Sequence, residues 1–171
     1  EHVLCVPREV LPHNWLGQNS ALQINRNAFF DAVTQNEVQW LTRGRAEYDS
    51  SYKQLIPYIV VLSLDNKVGC YLRAGSESRL HNLWSIGIVG HLNLEDQPAD
   101  KDLFTTILNG LNRELSEEIQ GVLNSSCPQL TGIINEEQTE VGTVHLGLVF
   151  LLQVENISEI IPGKELKQLI H

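Results

Sequence analysis

Arg113-Glu114-Leu115-Ser116-Glu117-Glu118 places three carboxylates within five residues, directly behind an arginine. On a helix, Glu114 and Glu118 lie one turn apart at i and i+4, with Glu117 beside them at i+3. Like charges at those spacings repel and cost helix stability unless something positive neutralises them. A hard divalent cation such as Mg²⁺ does so, because it prefers carboxylate oxygens. A solvated acidic helix face is the commoner meaning of Glu-Glu pairs, so the surroundings have to decide.

Those surroundings predict an amphipathic helix from about residue 101 to 119. Phe104, Ile107, Leu108, Leu111, Leu115 and Ile119 recur at spacings of three and four, forming one apolar stripe. Pro98 and Asp100 mark its start, with Asp100 as N-cap, and Gly121 ends it. The three glutamates fall largely off the stripe and can face a cleft. Upstream, Leu83 to Val89 reads as a strand that ends in the turn Gly90-His91-Leu92-Asn93.

The rest of the chain supplies a sheet. Ile56 to Leu64 is β-branched and nearly continuous, as expected of a strand buried on both faces. Asp65-Asn66-Lys67 is a turn, and Val68 to Arg73 is expected to return as a hairpin partner. Thr131 to Asn135 and the long apolar Val144 to Val154 are further strands, the second central, with His145 at its start. Residues 3–11 open with a short edge strand over Val3 to Val6, ended by Pro7. Asn14 to Ser20 reads as a loop, and Asn25 to Thr34 as a helix capped by Asn25. Val38, Trp40 and Leu41 form a strand-like piece. Arg43 to Asp49 is a polar connection or an anion-facing loop, since guanidinium forks suit phosphate. Gly75 to Leu80 is a polar loop carrying Arg79. After Pro162-Gly163, Lys164 to Ile170 is expected to form a short helix. This order implies a mixed sheet covered by helices in one domain, residues 1–171.

Composition narrows the function classes. The 171 residues are 42% hydrophobic and 19% charged, which fits a globular chain. A net charge of -9 argues against non-specific binding to a nucleic-acid polymer. Cys5, Cys70 and Cys127 are odd in number and show no CxxC spacing, so a reducing, cytoplasmic setting is expected. No apolar run reaches the length of a membrane span.

A glycine-ended strand, a loop and then Arg-Glu-Leu-Ser-Glu-Glu on a helix resembles the Nudix hydrolase signature. That pattern is Gly, five residues, Glu, seven residues, then Arg-Glu-U-x-Glu-Glu-x-Gly-U, where U is aliphatic. Gly90 matches its first glycine, and Arg113, Glu114, Leu115, Glu117 and Glu118 match its second half. With its Gly90-His91-Leu92-Asn93 turn and Val144-His145-Leu146-Gly147 strand, the chain resembles a bacterial branch described as Nudix-type phosphoesterases. Gly90 to Arg113 is longer than the pattern. Asp96 stands where the loop glutamate falls when counted from Gly90, and Thr105 where it falls when counted back from Arg113. One extra residue also separates Glu118 from Gly121.

The resemblance implies an α/β (α+β) fold, a Nudix-like α/β/α sandwich with a mixed β-sheet, whose core is residues 56–171 and to which 1–55 is an N-terminal extension. It also implies hydrolysis of a diphosphate linked to another moiety with Mg²⁺ or Mn²⁺. Glu114, Glu117 and Glu118 would be metal ligands and catalytic residues, oriented by Arg113. Arg45, Arg73, Arg79, His91 and Asn93 are the candidates for substrate contacts. The implied partner is a small phosphorylated molecule, with no nucleic-acid polymer or membrane, and a homodimer is compatible. A non-catalytic ligand sensor on the same fold is the alternative, because the loop glutamate is missing. An isoprenoid-diphosphate isomerase would need a Cys or metal-bound His arrangement, to which Cys127 is poorly placed.

Overall fold

A computed structural model describes residues 1–73, 83–120, 127–163 and 166–170. Its main sheet has seven strands. They are β1 (His2–Pro7), β2 (Asn19–Gln23), β3 (Gln39–Thr42), β4 (Tyr52–Ser63), β7 (Gly87–Val89), β9 (Gln129–Glu136) and β10 (His145–Val154). The order is β2-β9-β10-β4-β1-β3, with β7 also paired to β4. β10 runs parallel to β4 from His145↔Gln54 to Val154↔Ser63, and the remaining pairs are antiparallel. The sheet is therefore mixed, as expected, and its two most apolar strands are central.

The parallel pair demands a crossover, and that crossover carries α3 (Leu103–Glu118). α3 buries Leu103, Thr106, Ile107, Gly110, Leu111 and Leu115 against one face of the sheet. There they meet Leu55, Ile59, Leu146, Leu148 and Phe150, together with Phe29 and Val33 from the α1 (Arg26–Ala32) segment. The opposite face holds a smaller apolar cluster of Val3, Cys5 and Leu41 with Ala46 of α2 (Arg43–Ala46). Helices thus lie on both faces, with α2 covering only one end of the second.

Several expectations are corrected. β1 is an inner strand between β4 and β3, and its Pro7 lies opposite Tyr52 of β4 but beyond the last pairing with β3 at Cys5↔Gln39. The expected loop at Asn14 to Ser20 contains a 3-10 turn at His13–Trp15 and the start of β2. Arg43 to Asp49 begins with α2 rather than running as a loop. The return strand after Asp65-Asn66-Lys67 makes a single bridge to β4, Leu62↔Val68, flanked by the Gly69 amide donating to the Val61 carbonyl at 3.0 Å. It continues as β5 (Cys70–Arg73), which joins a separate three-stranded sheet with β6 (Trp84–Ser85) and β12 (Leu166–Ile170). The expected strand Leu83 to Val89 is accordingly split between two sheets.

The terminal segment expected to be helical is β12. A helix this short has little to repay its nucleation, whereas the open edge of β5 offers a ladder at once. Asp102, not Asp100, caps α3: its carboxylate accepts from the Thr105 amide at 2.7 Å. Gly121 and Arg79 lie outside the described residues.

Candidate active site

The site is built where the end of β7 meets the second half of α3. Arg113 is its hub. Its Nε and Nη2 each reach an Asp96 carboxylate oxygen at 3.0 Å, a two-pronged pair. Nη2 also donates to the His91 carbonyl at 2.8 Å, and Nη1 to Glu114 Oε1 at 2.7 Å. These bonds, that to Asp96 foremost, raise the guanidinium pKa still further, so Arg113 is a permanent cation.

Asp96 therefore does what the altered loop left in question. Its side chain is only 5% exposed, and Oδ2 also accepts from the Asn93 amide at 2.8 Å. Thr105, the rival position counted back from Arg113, is instead spent in the N-cap with Asp102. The family spacing from glycine to acid is kept between Gly90 and Asp96, and all the extra length follows Asp96. Gly110 of α3 makes room for this loop, because a Cβ there would come within 2.8 Å of Asp96 Oδ2 and overlap Leu92.

Glu114 is pressed against the backbone at Gly90, where any Cβ would overlap its carboxyl group. Burial raises its pKa against the pull of Arg113. Glu117 is the opposite case: its side chain is 58% exposed and lies 3.6 Å from Arg113 Nη1. Glu118 is half-buried, and its carbonyl accepts from the Gly163 amide at 2.7 Å. That bond ties the helix end to β11 (Ile161–Pro162), which pairs with β8 (Ile119–Gln120). The three carboxylates occupy the negative end of the helix dipole, where the last turn has no basic residue. They fit a hard cation in kind, by charge and by oxygen donors. Among the described residues, no three His, Cys, Asp or Glu side chains already converge on a point.

The remaining candidates divide. His91 and Asn93 lie at the site. With its amide oriented to satisfy both neighbours, Asn93 donates to Glu1 Oε1 at 3.0 Å and accepts from Arg113 at 3.3 Å. The His91 ring lies 5.7 Å from that of His145, and burial, with Arg43 and His145, lowers its pKa to about 4. Burial likewise lowers that of His145. Arg45 is not brought to Arg113. It is 56% exposed on α2 and paired with Asp49 at 3.2 Å. Arg73 belongs by its backbone to the separate sheet, across from Leu166. Sequence reasoning passed over Gln54, the polar residue just before the apolar run of β4, which is 1% exposed.

No family model matches the chain. The fold and the Gly90–Asp96–Arg113–Glu114 lock nevertheless define a class. The chain superposes over 99% of its length on 85% of the crystal structure of Tm1382, described as "a putative Nudix hydrolase", with a TM-score of 0.74 and 31% identity. The protein belongs to the Nudix superfamily. Protein YmaB of Bacillus subtilis (strain 168) is 39% identical over 121 residues, 67% of this chain. The match spans 56% of YmaB, little more than half of that relative. The MutT protein from Methanosarcina mazei Go1 gives a TM-score of 0.45 at 17% identity, over 68% of this chain and 73% of that one, too slight to argue from.

Proposed function

We propose that the protein is a metal-dependent hydrolase that cleaves a diphosphate linked to another moiety, of the nucleoside- or sugar-diphosphate type. The observation that carries this reading is the Asp96–Arg113–Glu114 lock at Gly90. It fixes the last turns of α3 so that Glu117 and Glu118 follow Glu114 at the negative end of the helix dipole, with Glu117 in only a loose 3.6 Å pair with Arg113. A stability-driven sequence would not keep that arrangement without a cation to hold.

Glu114, Glu117 and Glu118 would hold Mg²⁺ or Mn²⁺, which when bound supplies positive charge to the diphosphate oxygens. Arg113 positions Glu114 and does not touch substrate, because its donors are already committed to Asp96, Glu114 and the His91 carbonyl. A carboxylate oxygen on the same turn takes the proton of the attacking water. His91 and Asn93, at the mouth of the β7 turn, remain candidates to contact substrate. Among the described residues no helix is long and apolar enough to cross a membrane.

The test is release of phosphate or a monophosphate from a panel of nucleoside and sugar diphosphates, with and without Mg²⁺. Turnover that needs the ion and is lost in Glu118→Gln supports the reading. A sensor without turnover is the second reading, suggested by the departure of the Gly90 to Arg113 segment from the family spacing. Ligand binding that survives chelation, with no product from any diphosphate, would establish it.

A further inference from the structure

The end of α3 away from its glutamates bears an open cleft that the chemistry above does not use. The cleft measures about 600 Å³, within the range of small-molecule sites, and lies between the α1 segment and the start of α3. Phe30 and Phe104 give it an aromatic lining, Arg26 and Lys101 two cations, and Asp100 and Asp102 two carboxylates. At 1.5 Å per residue, Phe104 stands roughly 20 Å along the helix from Glu118. Asp100, Lys101 and Asp102 belong to the segment whose length exceeds the family pattern, so this wall is no part of the family's shared turn.

Arg26 is the residue that calls for a ligand. Arg8, Arg43, Arg45 and Arg113 are each paired with a carboxylate. Arg26 has neither an ion pair nor a hydrogen bond from its side chain among the described residues, although two carboxylates line the same cleft. Asp102 is spent on the α3 cap with Thr105, and Asp100 accepts from the Asp102 amide at 3.2 Å. The Arg26 guanidinium instead lies 3.5 Å from the centre of the Phe104 ring. Phe104 meets Phe30 edge-on at 5.8 Å and Phe30 meets Phe29 edge-on at 5.1 Å, while Phe29 stacks on Trp15. Phe29 and Trp15 are core residues, so packing fixes the whole series. Stacking occupies a face of the guanidinium and leaves its N–H edge free, in plane, for a bidentate carboxylate. Lys101 adds a second cation without a described partner, on a left-handed backbone of φ 59° that glycine would adopt without strain. A phosphate chain would bring several negative charges against Asp100 and Asp102, whereas a single carboxylate meets the fork with far less repulsion. The half-buried rings of Phe30 and Phe104 suit an apolar, planar body behind that carboxylate.

We propose that this cleft binds a small aromatic monocarboxylate, with Arg26 gripping the carboxylate, Lys101 adding charge at the rim, and Phe30 and Phe104 holding the ring. The site is separate from the glutamate turn, and it stands whether or not the protein hydrolyses a diphosphate.

The test is calorimetric titration of the full chain, without divalent ion, with 3-phenylpropionate as the probe. The probe should bind with a Kd of about a millimolar or tighter, as expected for a ligand of its size. 3-Phenylpropanol, which lacks the charge, and acetate, which lacks the ring, should each bind about tenfold or more weakly. Arg26→Met keeps an apolar stem over Phe104 and should weaken the probe about tenfold or more. Lys101→Gly should weaken it about threefold and melt no lower than wild type, since it relieves the left-handed backbone. It also keeps the site testable should Arg26→Met fail to fold. No saturation by the probe up to about 20 mM overturns the site. So does equal binding of the alcohol, or an affinity unchanged in both variants. Tighter binding of phenyl phosphate than of 3-phenylpropionate overturns the carboxylate assignment.

Discussion

At its first turn α3 has Asp102, a carboxylate where the helix dipole is positive, accepting from the Thr105 amide and hydroxyl. At its last turns the same helix has Glu114, Glu117 and Glu118 where the dipole is negative, with no basic residue in the final turn. The first end follows every rule of helix stability, and the second breaks them. The broken end is also the one fastened by the buried Asp96–Arg113 pair and by Gly90. Instability retained and then clamped in place is the physical mark of a functional site.

The sharpest way to break the contrast is at the unstable end. Glu117→Gln and Glu118→Gln should each lower ion-dependent turnover by about two to three orders of magnitude. Their melting temperatures should equal or exceed that of wild type, since each removes a like charge from the turn. Wild-type turnover in either would sink the metal assignment. Next comes the clamp. Asp96→Ala leaves the Arg113 fork without its buried partner and should cost about 3 kcal/mol in denaturant unfolding, together with turnover. A drop in activity alone would mean that Asp96 acts on the reaction rather than on position. Gly90→Ala forces the Glu114 carboxyl off the backbone and should cost about 2 kcal/mol.

Acid probes the same strand end from the histidine side. Burial holds His91 near 4 against an ordinary 6.5, so the unfolded chain takes up this proton first as pH falls. Stability should be complete above pH 6.5 and decline towards pH 4, with His91 contributing at most about 1.4 kcal/mol per pH unit. His91→Asn should flatten that decline, leaving the part due to His145. An unchanged slope would place the acid sensitivity elsewhere. The smallest effect belongs to the stable end: Asp102→Ala should cost about 1 kcal/mol and leave the rate alone. If it removed turnover as Glu118→Gln does, the distinction between the two ends would fail.

How much of this could be read beforehand follows from the range of the forces involved. The apolar stripe of α3, the continuous strands β4 and β10, and the acidic turn are local patterns, and the sequence displays them directly. Asp96 and Arg113 stand 17 residues apart, so counting alone left Asp96 and Thr105 as rival positions. Only the packing at Gly110 and the cap at Asp102 decide between them. Gln54 was missed because a polar residue in a strand ordinarily faces water, and nothing nearby in sequence says that this one is buried. β12 was misread as a helix because its ladder partner, β5, lies about a hundred residues away. Arg45 was one candidate for a phosphate contact, and its pairing with Asp49, four residues on along the same turn, could not be read from composition.

The placement of the extra length also bears on how this chain tolerates change. From Gly90 to Asp96 the segment is held at both ends, since Glu114 sits on one anchor and Arg113 grips the other. Beyond Asp96 the constraint lifts, and Ala99 to Asp102 lies exposed. Closing a loop twice as long costs only about 0.6 kcal/mol more. A peptide tag of ten residues or so grafted between Ala99 and Asp100 should therefore leave the protein folded and working. A single glycine inserted between His91 and Glu95 should pull Asp96 out of register. The segment that departs most from its family's pattern is thus also the most promising place to add to it.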